Sequence, residues 1–190
     1  RGILYTSLAS IYWGLAQPIF FNEIKYVSAF ETVSHRSVWS FIFLFMIILS
    51  TGNINEFIDI FKNKYKIFYL SITSLLITTN WTGFILSISF NRLQDASMGY
   101  FISPIISIGL GYIFLKEKIT KLKFLSILLM IFSIIFLLIS LKTIPYLALL
   151  IAFSWAFYGL IRKRIIVSAE IGLLYESGFI SIFAIIYLLY

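Results

Sequence analysis

The chain has 190 residues, of which 61% are hydrophobic and 12% charged, with a mean hydropathy of +0.99 and a net charge of +7. Soluble domains carry about a quarter charged residues, and no soluble domain of this size could cover so much apolar surface, so the composition specifies an all-α, polytopic helical membrane protein. The absence of cysteine excludes disulfides and cysteine-based metal sites, the single histidine argues against a His-rich metal site, and no cofactor is expected.

A spanning helix needs about 20 apolar residues, and the chain offers seven such runs in order. The first, residues 2–21, contains Trp13-Gly14 and Pro18, so a bend or local break is expected near its exit. It is long and lacks a small-residue cleavage pattern, which makes it a span and not a removed signal peptide. The second, 29–50, opens on Glu31-Thr32-Val33-Ser34-His35-Arg36. A loop over 51–66 sets Lys62, Lys64 and Lys66 against Glu56 and Asp59. The third span, 67–90, has Asn80-Trp81 and Gly83 near its middle. After a short loop at 91–95 the fourth, 96–115, meets Pro104, which a membrane helix tolerates when neighbours re-satisfy the freed carbonyl. Gly99, Ser103, Ser107 and Gly111 recur every four residues along it, which places small residues on one face for close helix packing. A loop over 116–123 carries four lysines and leads into the fifth span, 122–141. A tight connection at 142–145 precedes the sixth span, 145–161, which ends in Arg162-Lys163-Arg164. The seventh, 171–190, is cut off at Tyr190. With Arg1 at the other end and no initiating methionine, the chain reads as a fragment open at both ends, expected to show no substrate flux by itself.

Alternate loops divide the basic residues unequally. Arg1, Lys62, Lys64, Lys66, Lys116, Lys118, Lys121, Lys123, Arg162, Lys163 and Arg164 form one set of 11, against Lys25, Arg36, Arg92 and Lys142 in the other, out of 15. Short loops rich in Lys and Arg stay cytoplasmic, which puts the N-terminus in the cytoplasm. The same placement shows the positive charge to be a topology signal and not a nucleic-acid footprint, and no nucleic-acid partner is expected.

An internal echo links the first and sixth spans. Ala9-Ser10-Ile11-Tyr12-Trp13-Gly14 resembles Ala152-Phe153-Ser154-Trp155-Ala156, and Glu31 and Glu176 follow at similar distances. A repeat restarting at the sixth span has five helices, and an odd number inverts the second copy in the membrane. Inverted repeats are a signature of secondary transporters, with the substrate site near the midplane.

Several stretches together carry a family resemblance over nearly the whole chain. They are Trp13-Gly14, Ser34-His35-Arg36-Ser37-Val38-Trp39-Ser40, Asn80-Trp81, the run from Ala96 to Pro104, Lys116-Glu117-Lys118, and Ala156-Phe157-Tyr158-Gly159-Leu160-Ile161-Arg162-Lys163. The chain resembles the RarD-type branch of the EamA family, in the drug/metabolite transporter superfamily. That resemblance implies a ten-helix transporter of small organic molecules in the bacterial inner membrane, built from two inverted five-helix repeats. Residues 1–142 would then be the complete first repeat, and 143–190 the start of the second. Lys116 departs from the pattern, which has glycine at that position before the glutamate.

The candidate substrate-binding residues are Trp13, His35, Arg36, Asn80, Trp81, Tyr100, Ser103, Tyr158 and Glu176. Arg36 either snorkels to headgroups or faces a central cavity, where it would pair with a substrate carboxylate or with Glu31. His35 is either solvated or a proton-coupling group. Asn80 is costly at its depth without a partner; it either ties helices together or contacts substrate, with Trp81 as a wall. Glu176 lies at the midplane, as a proton or cation site, or near the interface, as a solvated end residue. Trp13, Tyr100, Trp155 and Tyr158 line an aromatic cavity or serve as core and interface belt. The lysine-rich loop and Arg162–Arg164 read as topology determinants beside anionic lipid.

No Gly-rich phosphate loop, nucleophile–base pair or metal-ligand spacing is present, which argues against an ATP-driven pump and against a hydrolase. The leading expectation is a secondary transporter of small organic metabolites or drugs, working by alternating access with export or exchange. The alternative is a membrane-embedded enzyme acting on lipid or isoprenoid substrates, which would need clustered acidic or His residues at one membrane face. A third class, a structural or receptor subunit, should show fewer polar residues at membrane depth. The expected partners are a small-molecule substrate and membrane lipids, with a homodimer as the candidate assembly.

Overall fold

Each apolar run of the sequence folds as a helix. In the computed structural model, which describes residues 2–140 and 145–190, the elements are α1 (Gly2–Glu23), α2 (Ala29–Thr51), α3 (Ile54–Phe61), α4 (Lys64–Ser89), α5 (Leu93–Leu115), α6 (Lys121–Ser140), α7 (Tyr146–Arg164) and α8 (Ala169–Leu189). Arg1 and the connection at 142–144, Lys142 included, lie outside the described residues. Six of the helices, α2 and α4 to α8, are long and apolar enough to cross a membrane. α1 has the length, at 22 residues, but its Tyr5, Thr6, Ser7, Ser10, Tyr12 and Gln17 dilute its apolarity, and it is not among the six. The first of the seven expected spans therefore exists as a helix with a weaker apolar signal.

Three local expectations change. α1 runs unbroken through Pro18. The loop expected over 51–66 contains the eight-residue helix α3, whose Ile54, Phe57 and Ile60 pack inward while Asn55, Glu56 and Asp59 face outward. Helix α4 begins at Lys64 because the Asn63 side chain accepts from the amides of Tyr65 and Lys66, at 3.0 and 3.3 Å, capping two otherwise unpaired donors.

α4 is the centre of the bundle, in contact with α1, α2, α3, α5, α7 and α8. The most extensive packing joins α5 to α7 and α2 to α8. Helix α6 packs chiefly on α5 and has no buried residue among those described. α7 can approach so closely because of two glycines. A Cβ on Gly83 of α4 would lie 2.9 Å from Leu150, and one on Gly99 of α5 would lie 2.8 Å from the Ala148 carbonyl and 2.9 Å from Ile151 Cβ. Ile151, fully buried, is wedged between them. Of the expected stripe of small residues, Gly99 and Ser103 are buried, Ser107 is exposed, and Gly111 faces Glu117 of its own following loop. The stripe thus serves helix contact over its first half only.

Both ends of the α5–α7 pair are tied. At one end Arg92 pairs with Asp95 and lies over the Tyr146 ring, 4.6 Å from its centroid. At the other, Lys163 forms an ion pair with Glu117, and Arg164 donates to the Phe114 carbonyl at 2.7 Å. The hydrogen bond and charge of Lys163 hold the Glu117 carboxyl below the ordinary carboxylate range. Lys116 closes α5 in the left-handed conformation, φ 55°, with its own amide and that of Glu117 both directed at the Gly111 carbonyl. That conformation costs a residue with a Cβ about 1–2 kcal/mol, which explains why glycine suits the position.

Two consequences are measurable by thermal and chemical unfolding in detergent. Gly99→Val should destabilise the chain by the roughly 1–3 kcal/mol of an overfilled interior, because a backbone carbonyl blocks its Cβ, whereas Gly109→Ala, with open space around its Cβ, should leave stability unchanged. Lys116→Gly should stabilise it by about 1 kcal/mol through release of the left-handed strain.

Candidate functional site

Five of the nine candidate residues come together around the middle of α4. Arg36 stands two helical turns inside α2, eight residues after Ser28, or about 12 Å along the axis. Its guanidinium lies over the Trp81 ring, with Cζ 4.2 Å from the centroid, and stands 5.8 Å from Trp13 and 5.9 Å from Phe21. Three aromatic faces from α1 and α4 therefore surround one cation, an arrangement favourable by about 2 kcal/mol or more per contact when desolvated. Among the described residues no carboxylate pairs with Arg36; Glu31 lines the same cleft without forming an ion pair to it. The cleft, about 790 Å³ between α1 and α2, also receives Gln17, His35 and Tyr12. His35 is exposed at its wall, and Gln17 presents a buried Oε1 that no donor reaches.

Directly behind Trp81, Asn80 is 1% exposed and fully engaged. Its Nδ2 donates to the Ile151 carbonyl at 3.0 Å and to Ser154 Oγ at 3.4 Å, and its Oδ1 accepts from the Tyr100 hydroxyl at 3.2 Å. The Asn80 amide ties helices in this structure. One amide joins α4 to α5 and α7 and has little capacity left for a solute. Ser103 is buried one turn beyond Gly99 on α5 and is not among the residues that line the Arg36 cleft.

Tyr158 and Glu176 belong to a second polar cluster. Glu176 is fully buried, two turns inside α8, which removes the solvated-end reading. Thr73 Oγ1 donates to its Oε1 at 2.6 Å and the Tyr158 hydroxyl to its Oε2 at 3.2 Å. Arg162 Nε is 3.7 Å from Oε1, and Arg162 Nη2 donates to the Ser168 carbonyl at 3.1 Å. Trp155 stacks on Tyr158, at 5.4 Å between centroids. Arg162 thus differs from its two basic neighbours in placement. Its side chain is 13% exposed and turned inward, while Lys163 and Arg164 stay outside.

The sequence held signals for the residues missed. Thr73 precedes Asn80 by seven positions, two turns, so both lie on one face of α4 and the two clusters are about 10 Å apart along it. Arg162 follows Tyr158 by four, which puts them on one face of α7. α2 and α8 open on the same residues, Val27-Ser28-Ala29 and Val167-Ser168-Ala169, and Arg36-Ser37 and Glu176-Ser177 stand at matching positions after them.

The groove between α2, α3 and α8, about 450 Å³, is lined almost wholly by apolar side chains such as Phe41, Phe57 and Phe179 and offers no charged group to orient a polar solute. The Arg36 cleft, by contrast, is lined by Glu31, His35 and Arg36.

The EamA-like transporter family model matches residues 1–139. Protein RarD of Salmonella typhi is 37% identical over 99% of this chain and 64% of its own length. Protein RarD of Escherichia coli K12 is 37% identical over 99% of the chain and 63% of its own length. An uncharacterised transporter of Vibrio cholerae serotype O1 is 38% identical over the whole chain and 63% of its own length. The chain thus spans a little under two thirds of these relatives. No solved structure matches it. By the family match over most of its length, this polytopic membrane chain belongs to the EamA-like transporter family.

Proposed function

We propose that the chain forms the first repeat and the opening of the second in a bacterial inner-membrane secondary transporter that moves small organic solutes carrying an anionic group. The observation that carries this reading is Arg36, a guanidinium two turns inside a span with no carboxylate partner among the described residues, caged by Trp13, Phe21 and Trp81 and lining a cleft of about 790 Å³. A charge at that depth is expensive and is kept where it meets a substrate or pathway. Its guanidinium would grip a carboxylate or similar oxyanion, while the aromatic walls and Gln17 would hold the organic body. His35, exposed on the same wall, would contact the solute at entry.

The cytoplasmic N-terminus rests on the division of Lys and Arg between loops, and the inner-membrane placement on the spanning helices and the similarity to bacterial transporters. The matching starts of α2 and α8 support an inverted repeat, in which Arg36 and Glu176 are counterparts approached from opposite faces of the membrane. Alternating access then consists of one repeat rocking against the other around α4, delivering export or exchange.

The test is uptake into proteoliposomes holding the full-length transporter of which this chain is part, from a panel that pairs organic anions with neutral isosteres. Flux should favour the anions, fall at least tenfold in Arg36→Ala, and be partly retained in Arg36→Lys. Equal flux of anions and isosteres, unchanged in Arg36→Ala, would overturn the assignment.

A further inference from the structure

We infer that Glu176 is a reversible protonation site, built so that its carboxyl can be charged or neutral without rearrangement of the helices that hold it. The argument starts from Thr73. Its hydroxyl has one hydrogen and two acceptors in reach, the Leu70 carbonyl at 3.0 Å and Glu176 Oε1 at 2.6 Å. With Glu176 ionised, Thr73 donates to Oε1 and Tyr158 donates to Oε2. When a proton from water adds to Oε1, the new O–H donates to Thr73 Oγ1, and the Thr73 hydrogen rotates to the Leu70 carbonyl. Tyr158 keeps its bond to Oε2. Both states are hydrogen-bonded with the same heavy-atom positions, so neither pays for an unsatisfied buried group. A carboxylate with a purely structural role needs no partner that can reverse from donor to acceptor.

The charges around the site complete the device. Arg162 and Tyr158 face Glu176 from α7, and Thr73 faces it from α4. α2 packs nearby with Phe41, Leu44, Phe45 and Ile48, all apolar. α3 sends Glu56 to the Ser168 amide at the start of α8, and on α8 itself Tyr175 is bonded to Ser71. Arg162 is thus the sole cation facing the carboxylate among the described residues. It balances Glu176 from 3.7 Å without a hydrogen bond of normal length, its Nη1 is buried without a partner, and its guanidinium rests on Gly172, where a Cβ would come within 2.2 Å of it. Protonation removes the countercharge of a guanidinium held otherwise by the Ser168 carbonyl. Arg162 ends α7 beside exposed Lys163 and Arg164, so water and headgroups are within the reach of its flexible stem. Protonation of Glu176 and release of Arg162 from the α7–α8 junction are therefore linked.

In the transporter reading this site supplies the coupling to protons; the protonation itself does not rest on that reading. The test needs no solute. Infrared difference spectra of the full chain in lipid vesicles are recorded between pH 4 and pH 9. A protonated-carboxyl C=O band should grow as pH falls and be absent in Glu176→Gln. Thr73→Val, which deletes the acceptor of the carboxyl hydrogen, should shift that band to higher frequency, whereas Arg162→Lys, which keeps the cation, should retain a titrating band. A spectrum without any titrating band that Glu176→Gln removes overturns the proposal. If Glu176→Gln does not fold, Thr73→Val decides alone, since a band unmoved by loss of the hydroxyl overturns it too. Failure here with selective anion flux intact would leave Arg36 as the solute site and remove only the proton coupling.

Discussion

Asn80 sits where no water can solvate it, and the way its amide is satisfied determines how the bundle packs. Left unpaired in an apolar interior, an amide costs several kcal/mol. Here it reaches the Ile151 carbonyl, Ser154 and Tyr100, and so fixes α7 and α5 against α4 at one level. The glycines at 83 and 99 then let the backbone of α7 come close enough for that reach, with Ile151 filling the space between them. A hydrogen bond between membrane helices is worth only about 1 kcal/mol. Its larger effect is on register, since sliding α7 by one turn would strand Asn80.

Arg36 and Glu176, charges of opposite sign eight residues after Ser28 and Ser168, are treated differently. Arg36 is stabilised by ring faces, which compensate a cation without neutralising it. Glu176 is compensated by hydroxyls and a cation, which engage its acceptors. The first arrangement suits binding. The second suits a change of charge state, and α4 carries both on one face, so events at either site act on the same helix.

Much of the membrane organisation was legible from composition. Apolar runs of about 20 residues report helices because lipid offers backbone groups no other partner, and the spans at α2 and α4 to α8 follow from this. The short helix α3 was hidden because eight residues, three of them charged or polar, read as a loop. The start of α4 shifted because the Asn63 cap recruits Lys64 and Lys66 into a helix that hydropathy alone would begin later. Of the site, Trp13, Arg36, Trp81, Asn80 and Tyr100 were picked out as polar or aromatic groups at depth, and they do converge. Arg162 was missed because it sits in a run of three basic residues, and a charge run does not reveal which member turns inward.

The sequence by itself determined the helical class, the approximate spans, the uneven charge of the loops and the identities of the costly buried groups, since all of these follow from the cost of placing polar atoms in hydrocarbon. Only the tertiary structure decided which of those groups satisfy one another. Asn80 pairs with a backbone carbonyl 71 residues away and Thr73 with a carboxylate 103 residues away, and no local periodicity encodes such distances. The division of nine candidate residues into an open cationic cleft and a closed carboxylate cluster depends on how α4, α7 and α8 meet, which is set by the fit of Ile151, Gly83, Gly99 and Gly172 and not by the chemistry of the polar residues themselves.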